Sequence, residues 1–276
     1  MPSDPSSGAE PVPSDIELET AIEVAGEGIW TTHLSRAWHI GDASNGGYAM
    51  LPVLRALRDV AGHPDPISVT THFLRPGLGD IDGEVRAELI RSGRRTGTAR
   101  GRLVQDGATR LEVMAAFSDL STGADGAPEL TLPAPDLPAP EDCVDRSELA
   151  QGVELPILSR VDVRLRPEQS ISGGSDRAVI EGWIRLRDGT PPTSGTLPLF
   201  ADAFPPSLYP FVGNIGWVPT IELTVHVRRR PAPGWVQARL ECDDLQGGRM
   251  IESGALWDST GALVARSRQI GLLLAR

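Results

Sequence analysis

The chain contains no lysine; all 26 of its basic residues are arginine. Schiff-base chemistry through a lysine amine is therefore excluded. Only two cysteines are present, Cys143 and Cys242. They form neither a disulfide framework nor a metal-ligand pattern, and no cofactor is implied. Basic charge is also scarce: 37 acids leave a formal charge of −11 over 276 residues. That balance argues against a nucleic-acid partner, because phosphate contacts need a basic face. A phosphorylated small ligand held by a local arginine group is not excluded. Arg91, Arg94 and Arg95 form one such group, and Arg228, Arg229 and Arg230 another. No apolar run is long enough to span a bilayer, and residues 1–15 lack the apolar core of a signal peptide. A cytoplasmic protein without membrane insertion is expected.

What is present is a duplication. Ser68-Val-Thr-Thr-His72-Phe-Leu-Arg75-Pro76 is matched by Glu222-Leu-Thr-Val-His226-Val-Arg-Arg-Arg230-Pro231, with the histidines 154 residues apart. Gly101-Arg-Leu-Val-Gln-Asp-Gly107 is matched by Gly254-Ala-Leu-Trp-Asp-Ser-Thr-Gly261, with the leading glycines 153 apart. Two landmarks in one register predict a repeated unit.

Periodicity fills in the units. Met50, Val53, Leu54, Leu57, Val60 and Ala61 recur at helical spacing, and the segment is apolar over most of its surface. Pro52 fits only its first turn. Strands are expected at 28–33, 67–75, 83–91, 96–105 and 110–118, separated by glycine-containing turns. The second half repeats the pattern. Strands at 160–166 and 178–187 precede a short helical segment at 196–203, stopped by Pro205-Pro206. Strands at 218–227, 235–245, 249–258 and 263–273 follow. A helix followed by a run of antiparallel strands is the coarse form of the hotdog arrangement. The expected class is α+β, a double hotdog whose halves join edge to edge into one sheet, since pairing two edges removes two rows of unpaired backbone groups. The organisation expected is a disordered tail at 1–18, a first unit at 19–120, a Pro-rich linker at 121–155 and a second unit at 156–276. Self-association is an expectation too, because a long sheet leaves an outer face to cover.

Asp202 is the one charge in Leu197-Pro-Leu-Phe-Ala-Asp202-Ala-Phe-Pro-Pro-Ser-Leu. An ionised carboxylate there is costly unless donors surround it, and perturbed acids favour functional sites. A capping acid that reaches water is the bland alternative. The 154-residue offset carries Asp202 to Tyr48, so the fold does not demand an acid at that place. Thr220 opens a strand whose alternation places Ile221, Leu223, Val225 and Val227 on one face and Thr220, Glu222, Thr224 and His226 on the other. Taken alone, Thr220 and Gln269 are ordinary strand residues. Gly46 and Gly47, before the first helix, either present free N–H groups to a ligand or serve a tight turn. None of the five histidines has a glycine four residues later, so the His-x-x-x-Gly pattern of double-hotdog dehydratases is missing.

In these landmarks the chain resembles the bacterial acyl-CoA thioesterase II family, double-hotdog proteins. Asn45-Gly-Gly-Tyr, Thr71-His-Phe-Leu-Arg-Pro-Gly77 and Arg91-Ser-Gly-Arg-Arg-Thr96 carry the likeness in the first half. Phe200-Ala-Asp202-Ala-Phe, Pro219-Thr220-Ile-Glu-Leu-Thr, Asp258-Ser-Thr-Gly261 and Arg268-Gln269 carry it in the second. The resemblance implies hydrolysis of acyl-CoA by a water held between an Asp, a Thr and a Gln, which would be Asp202, Thr220 and Gln269. Thr224 is the alternative to Thr220. Gly46 and Gly47 would then meet the substrate. A non-catalytic acyl-CoA binder and a double-hotdog enoyl-thioester hydratase are the rival readings.

Overall fold

Helical spacing gives way to two-residue alternation at Gly62, and the backbone changes with it. The computed structural model describes residues 13–122, 128–150 and 152–274. The first half comprises α1 (Asp15–Glu19), β1 (Ile22–Gly26), β2 (Ile29–Leu34), a ribbon of β3 (His39–Ile40) and β4 (Ala43–Ser44), α2 (Gly46–Ala49), α3 (Leu51–Ala61), β5 (Asp65–Phe73), β6 (Ile81–Arg91), β7 (Gly97–Gln105) and β8 (Ala108–Ser118). The second comprises β9 (Val144–Asp145), β10 (Val161–Leu165), β11 (Val179–Leu186), α4 (Leu197–Asp202), α5 (Tyr209–Val212), β12 (Thr220–Val227), β13 (Val236–Gln246), β14 (Arg249–Trp257) and β15 (Leu263–Leu272).

Thirteen strands form one sheet in the order β1-β2-β6-β7-β8-β5-β12-β15-β14-β13-β11-β10-β9. The α+β double hotdog with a continuous antiparallel sheet is therefore the observed architecture. The halves meet where β5 pairs with β12, Thr70 opposite Thr224 and Val69 opposite Val225. The Thr70 and Thr224 hydroxyls are 2.9 Å apart. These residues are 154 positions apart, the offset of the repeat, so a pseudo-twofold axis passes between them.

Helix α3 packs on β6, β7 and β8 and buries Leu51, Val53, Leu54, Ala56, Leu57 and Ala61. Pro52 lies in its first turn, where its missing N–H is harmless. Gly62 ends it in the left-handed region, φ 68°, a conformation that a side chain disfavours.

Two expectations need correction. Residues 1–12 of the expected tail lie outside the described residues, but Asp15–Glu19 is helix α1, started by a Ser14/Glu17 capping box and anchored by buried Ile16. The segment read as a linker is built into the second half. Its β9 extends the sheet by pairing with β10. Carbonyls of Leu132, Pro135 and Pro138 accept from Trp257 Nε1, Gln237 Nε2 and Trp183 Nε1. Proline cannot donate, but its carbonyl accepts, so a Pro-rich strap is held by side-chain donors. Among the described residues no helix is long and apolar enough to cross a membrane.

Candidate active site

Helix α4 buries Leu197 through Ala201 and ends on Asp202. Pro205 and Pro206 follow, and the residue before a proline disfavours helix. Helix α2 packs across α4, and glycine makes the close approach feasible. A Cβ on Gly47 would lie 2.8 Å from Leu199 Cα and 2.9 Å from Asp202 Cβ, and one on Gly46 would lie 2.7 Å from the Phe73 ring. The approach brings donors to the acid. Asp202 Oδ2 accepts from the Gly47 N–H at 2.7 Å and from Asn45 Nδ2 at 2.9 Å. The same Nδ2 donates to the Asp202 carbonyl at 3.0 Å. Asn45 Oδ1 meanwhile accepts from the Tyr48 N–H at 2.9 Å and caps α2.

Burial dominates the electrostatics of Asp202 and pushes its carboxyl from 3.8 up to about 7. The Gly47 and Gly46 amides and the Asn45 side chain pull it back, while the Glu252 charge pushes it further up.

Thr220 reaches the same cavity through a β-bulge. It pairs with Gly271 and Glu222 pairs with Ile270, so Ile221 has no partner on β15. Cross-strand partners share a face, and Gly271 is two residues beyond Gln269. Thr220 therefore points to the Gln269 face, where Leu223 is also buried. Strict alternation put Thr220 on the Glu222 face; the extra residue reverses it. Thr220 Oγ1 donates to Gln269 Oε1 at 2.9 Å. Thr224 instead meets Thr70 and Glu222 and is not among the residues lining the cavity.

Gln269 Nε2 donates to Glu252 Oε1 at 2.5 Å, and Glu252 Oε2 accepts from the Ser207 N–H at 2.8 Å. Glu252 is 2% exposed, and burial raises its carboxyl above the ordinary range. Arg146, also buried, donates to the Ala203 carbonyl. Burial lowers its guanidinium and the Asp202 charge opposes that; it remains a cation at neutral pH. Asp202, Thr220, Gln269, Glu252 and Arg146 all line one cavity of about 260 Å³, with Phe73, Leu74, Trp217 and Ile221 among its apolar walls.

Two family descriptions match this chain: "Acyl-CoA thioesterase N-terminal domain" over residues 34–118 and "Acyl-CoA thioesterase C-terminal domain" over residues 140–273. The chain belongs to the acyl-CoA thioesterase family. An uncharacterized protein of Mycobacterium tuberculosis is 28% identical over 272 residues, covering 90% of this chain and 92% of that one. The crystal structure of a candidate thioesterase II from Thermobifida fusca superposes with a TM-score of 0.85 at 28% identity, covering 95% of this chain and 98% of that one. Acyl-CoA thioesterase II TesB2 from Mycobacterium marinum shares the fold, with a TM-score of 0.75 at 21% identity over 95% and 98% of the two chains.

In this thioesterase-family chain, Asp202, Thr220 and Gln269 all line one cavity. Gly47 does not stand where expected. Its amide is committed to Asp202, so it holds the acid rather than a ligand. Gly46 lines the cavity, but its amide too bears on Asp202. Neither arginine group lines the cavity; Arg230 is bound to Asp65 and Arg229 to Glu129. Arg75 and Arg146 do line it.

Three site residues escaped the sequence reading. Asn45 was visible only as part of a landmark. Glu252 shares the inward face of β14 with Met250, Gly254 and Leu256, and an acid in that series is the same signal that marked Asp202. Arg146 comes from the strap, where composition gives no hint of burial.

Proposed function

We propose that the protein hydrolyses fatty acyl-CoA to a fatty acid and CoA, with Asp202 as the base and Thr220 and Gln269 as the other contacts of the attacking water. One observation carries this reading: a carboxyl poised near pH 7 shares a cavity with an amide and a hydroxyl already bonded to each other. A base with a pKa near the working pH is the most effective one.

Proton accounting gives the water a defined orientation. Thr220 spends its proton on Gln269 Oε1, so toward the cavity it offers only lone pairs. Gln269 Nε2 spends one proton on Glu252 and has a second to offer. A water here accepts from Gln269, donates to Thr220 and donates its other proton to Asp202. Asp202 Oδ2 is occupied by Gly47 and Asn45, which assigns that proton to Oδ1. The water oxygen bonds to the thioester carbon as Oδ1 takes the proton. The C–S bond then breaks and the sulfur leaves as thiolate, which recovers the proton from Asp202.

The test is thiol release from a panel of acyl-CoAs of increasing chain length. Release of one thiol per fatty acid is expected. Saturable binding without release from any of them would make the protein an acyl-CoA binder. Loss of an enoyl-CoA double bond without thiol release would make it a hydratase; no histidine is among the residues lining the cavity.

A further inference from the structure

We propose that Glu252 is a positioning residue for this hydrolysis: its carboxylate dictates which way the Gln269 amide faces, and so where the water is held. The inference rests on the thioesterase reading above.

The geometry is directional. A carboxylate only accepts hydrogen bonds. With Glu252 Oε1 2.5 Å away, Gln269 must turn Nε2 toward it, and Oε1 then faces Thr220. That in turn commits the Thr220 proton. One buried charge thus fixes the donor and acceptor pattern that the water meets. The second Glu252 oxygen is held by the Ser207 N–H. Ser207 is fully buried and follows Pro205-Pro206 in the segment that begins at Asp202. The base and the anchor of the positioning group therefore share one short stretch of chain.

The fold itself does not require this acid. Burying a carboxylate is costly, and the partners of Glu252 are an amide and a main-chain N–H rather than a cation. The pseudo-twofold axis supplies an internal control. Leu223 pairs with Gln269, and Gln269 with Glu252. Their images are Val69 with Ala115, and Ala115 with Ala99. Thr220 opposite Gly271 is mirrored by Pro66 opposite Phe117, and the same strand irregularity recurs at Ile67. The image positions of Thr220, Gln269 and Glu252 are thus Pro66, Ala115 and Ala99, and that of Asp202 is Tyr48. A separate cavity lined by Pro66 and Phe117 is present there, but all four polar groups are replaced. Glu252 is present where the chemistry is and missing where it is not.

The test compares Glu252→Gln and Glu252→Asp, each in wild-type and Gln269→Ala backgrounds, by thiol release from acyl-CoA. Glutamine keeps its oxygen on the Ser207 N–H and so turns its NH₂ toward Gln269, which makes the Gln269 amide turn over. Aspartate keeps the charge but falls short of it. Both are expected to lower kcat by about 100-fold with little change in KM, and neither to lower it further in the Gln269→Ala background. The pH profile separates charge from reach. The charged groups lining the cavity with Asp202 are Arg75, Arg146 and Glu252, and Cys242 pairs with Glu252 from β13. Removing the negative charge in Glu252→Gln moves the acid limb to lower pH; Glu252→Asp leaves it in place. If the Gln variant does not fold, the Asp variant still reads out reach. A folded variant of either kind with wild-type kcat overturns the proposal, as do equal falls in both backgrounds. Wild-type protein inactive on every thioester removes the thioesterase reading and this inference together; an active wild type indifferent to Glu252 removes only this one.

Discussion

Asp202 is an acid the fold holds at a disadvantage. Its carboxyl is raised from 3.8 to about 7, so between those values the folded state binds a proton that the unfolded chain has released. The Asp202 contribution to stability is therefore fully present below about pH 4 and is lost as pH rises through about 7. Asp202→Asn removes that decline. Thermal unfolding at pH 8 and pH 5 is expected to show the variant gaining on wild type at the higher pH, because the Asn oxygen can still accept from Gly47 and Asn45. Asn45→Ala acts in the opposite sense. It loses the α2 cap, costing about 1 kcal/mol, and withdraws a donor that favours the ionised acid. The acid limb of its rate profile is expected to move to higher pH. At this scale the sequence was uneven. A lone acid in an apolar helix is legible because one residue breaks a local pattern. Glu252 was legible by the same rule and overlooked. Arg146 was not legible, since the carbonyl that receives it, Ala203 just past α4, is 57 positions away.

Two elements set the site, and they differ in how openly the chain announces them. The long strands follow from two-residue alternation with glycine-bearing turns, and their observed ends fall within about two residues of expectation. The bulge at Ile221 left no such trace, because a β-branched residue at a strand start suits a regular strand as well as an irregular one. With Ile221 in the chain, that irregularity decides which face Thr220 takes. Deleting Ile221 removes the extra residue but leaves Thr220 opposite Gly271 on the Gln269 face, so the Thr220–Gln269 bond and most thiol release are expected to survive; loss of most thiol release in a folded variant would contradict the bulge reading. The α2–α4 crossing is the second element. Gly46 and Gly47 suggested a ligand-binding turn, whereas a Cβ at Gly47 would press on Leu199 and Asp202. Gly47→Ala is expected to cost about 1–3 kcal/mol in urea unfolding and to depress kcat by displacing the base.

The whole molecule is two similar units made unequal across one seam. The duplication was legible because its landmarks keep nearly one offset, 154 and 153, and 154 is also the separation of Thr70 and Thr224, the pair at the pseudo-twofold axis where β5 meets β12. The contacts that lock the seam were not legible, since they join residues far apart in the chain. Asp65, at the start of β5, receives Arg230 Nε and a terminal nitrogen, the Ser194 hydroxyl and the Leu120 N–H. Burial pushes its carboxyl up, but these bonds outweigh burial and hold it below the ordinary range. Asp65 therefore stabilises the fold above its unfolded pKa, and that contribution is lost as pH falls through the lower folded value. Arg230→Ala is expected to weaken the fold at neutral pH and to begin acid unfolding at a higher pH than wild type, as followed by circular dichroism.

The central claim concerns one carboxylate and one water, and a single profile tests it most directly. Thiol release from an acyl-CoA is measured against pH for wild type and for Asp202→Asn, with folding of both checked by circular dichroism. The account expects a wild-type rate that climbs through about pH 7, as the carboxyl ionises, and a folded Asn variant at least about 100-fold slower at every pH. A folded Asn variant that matches wild type across the range would contradict it.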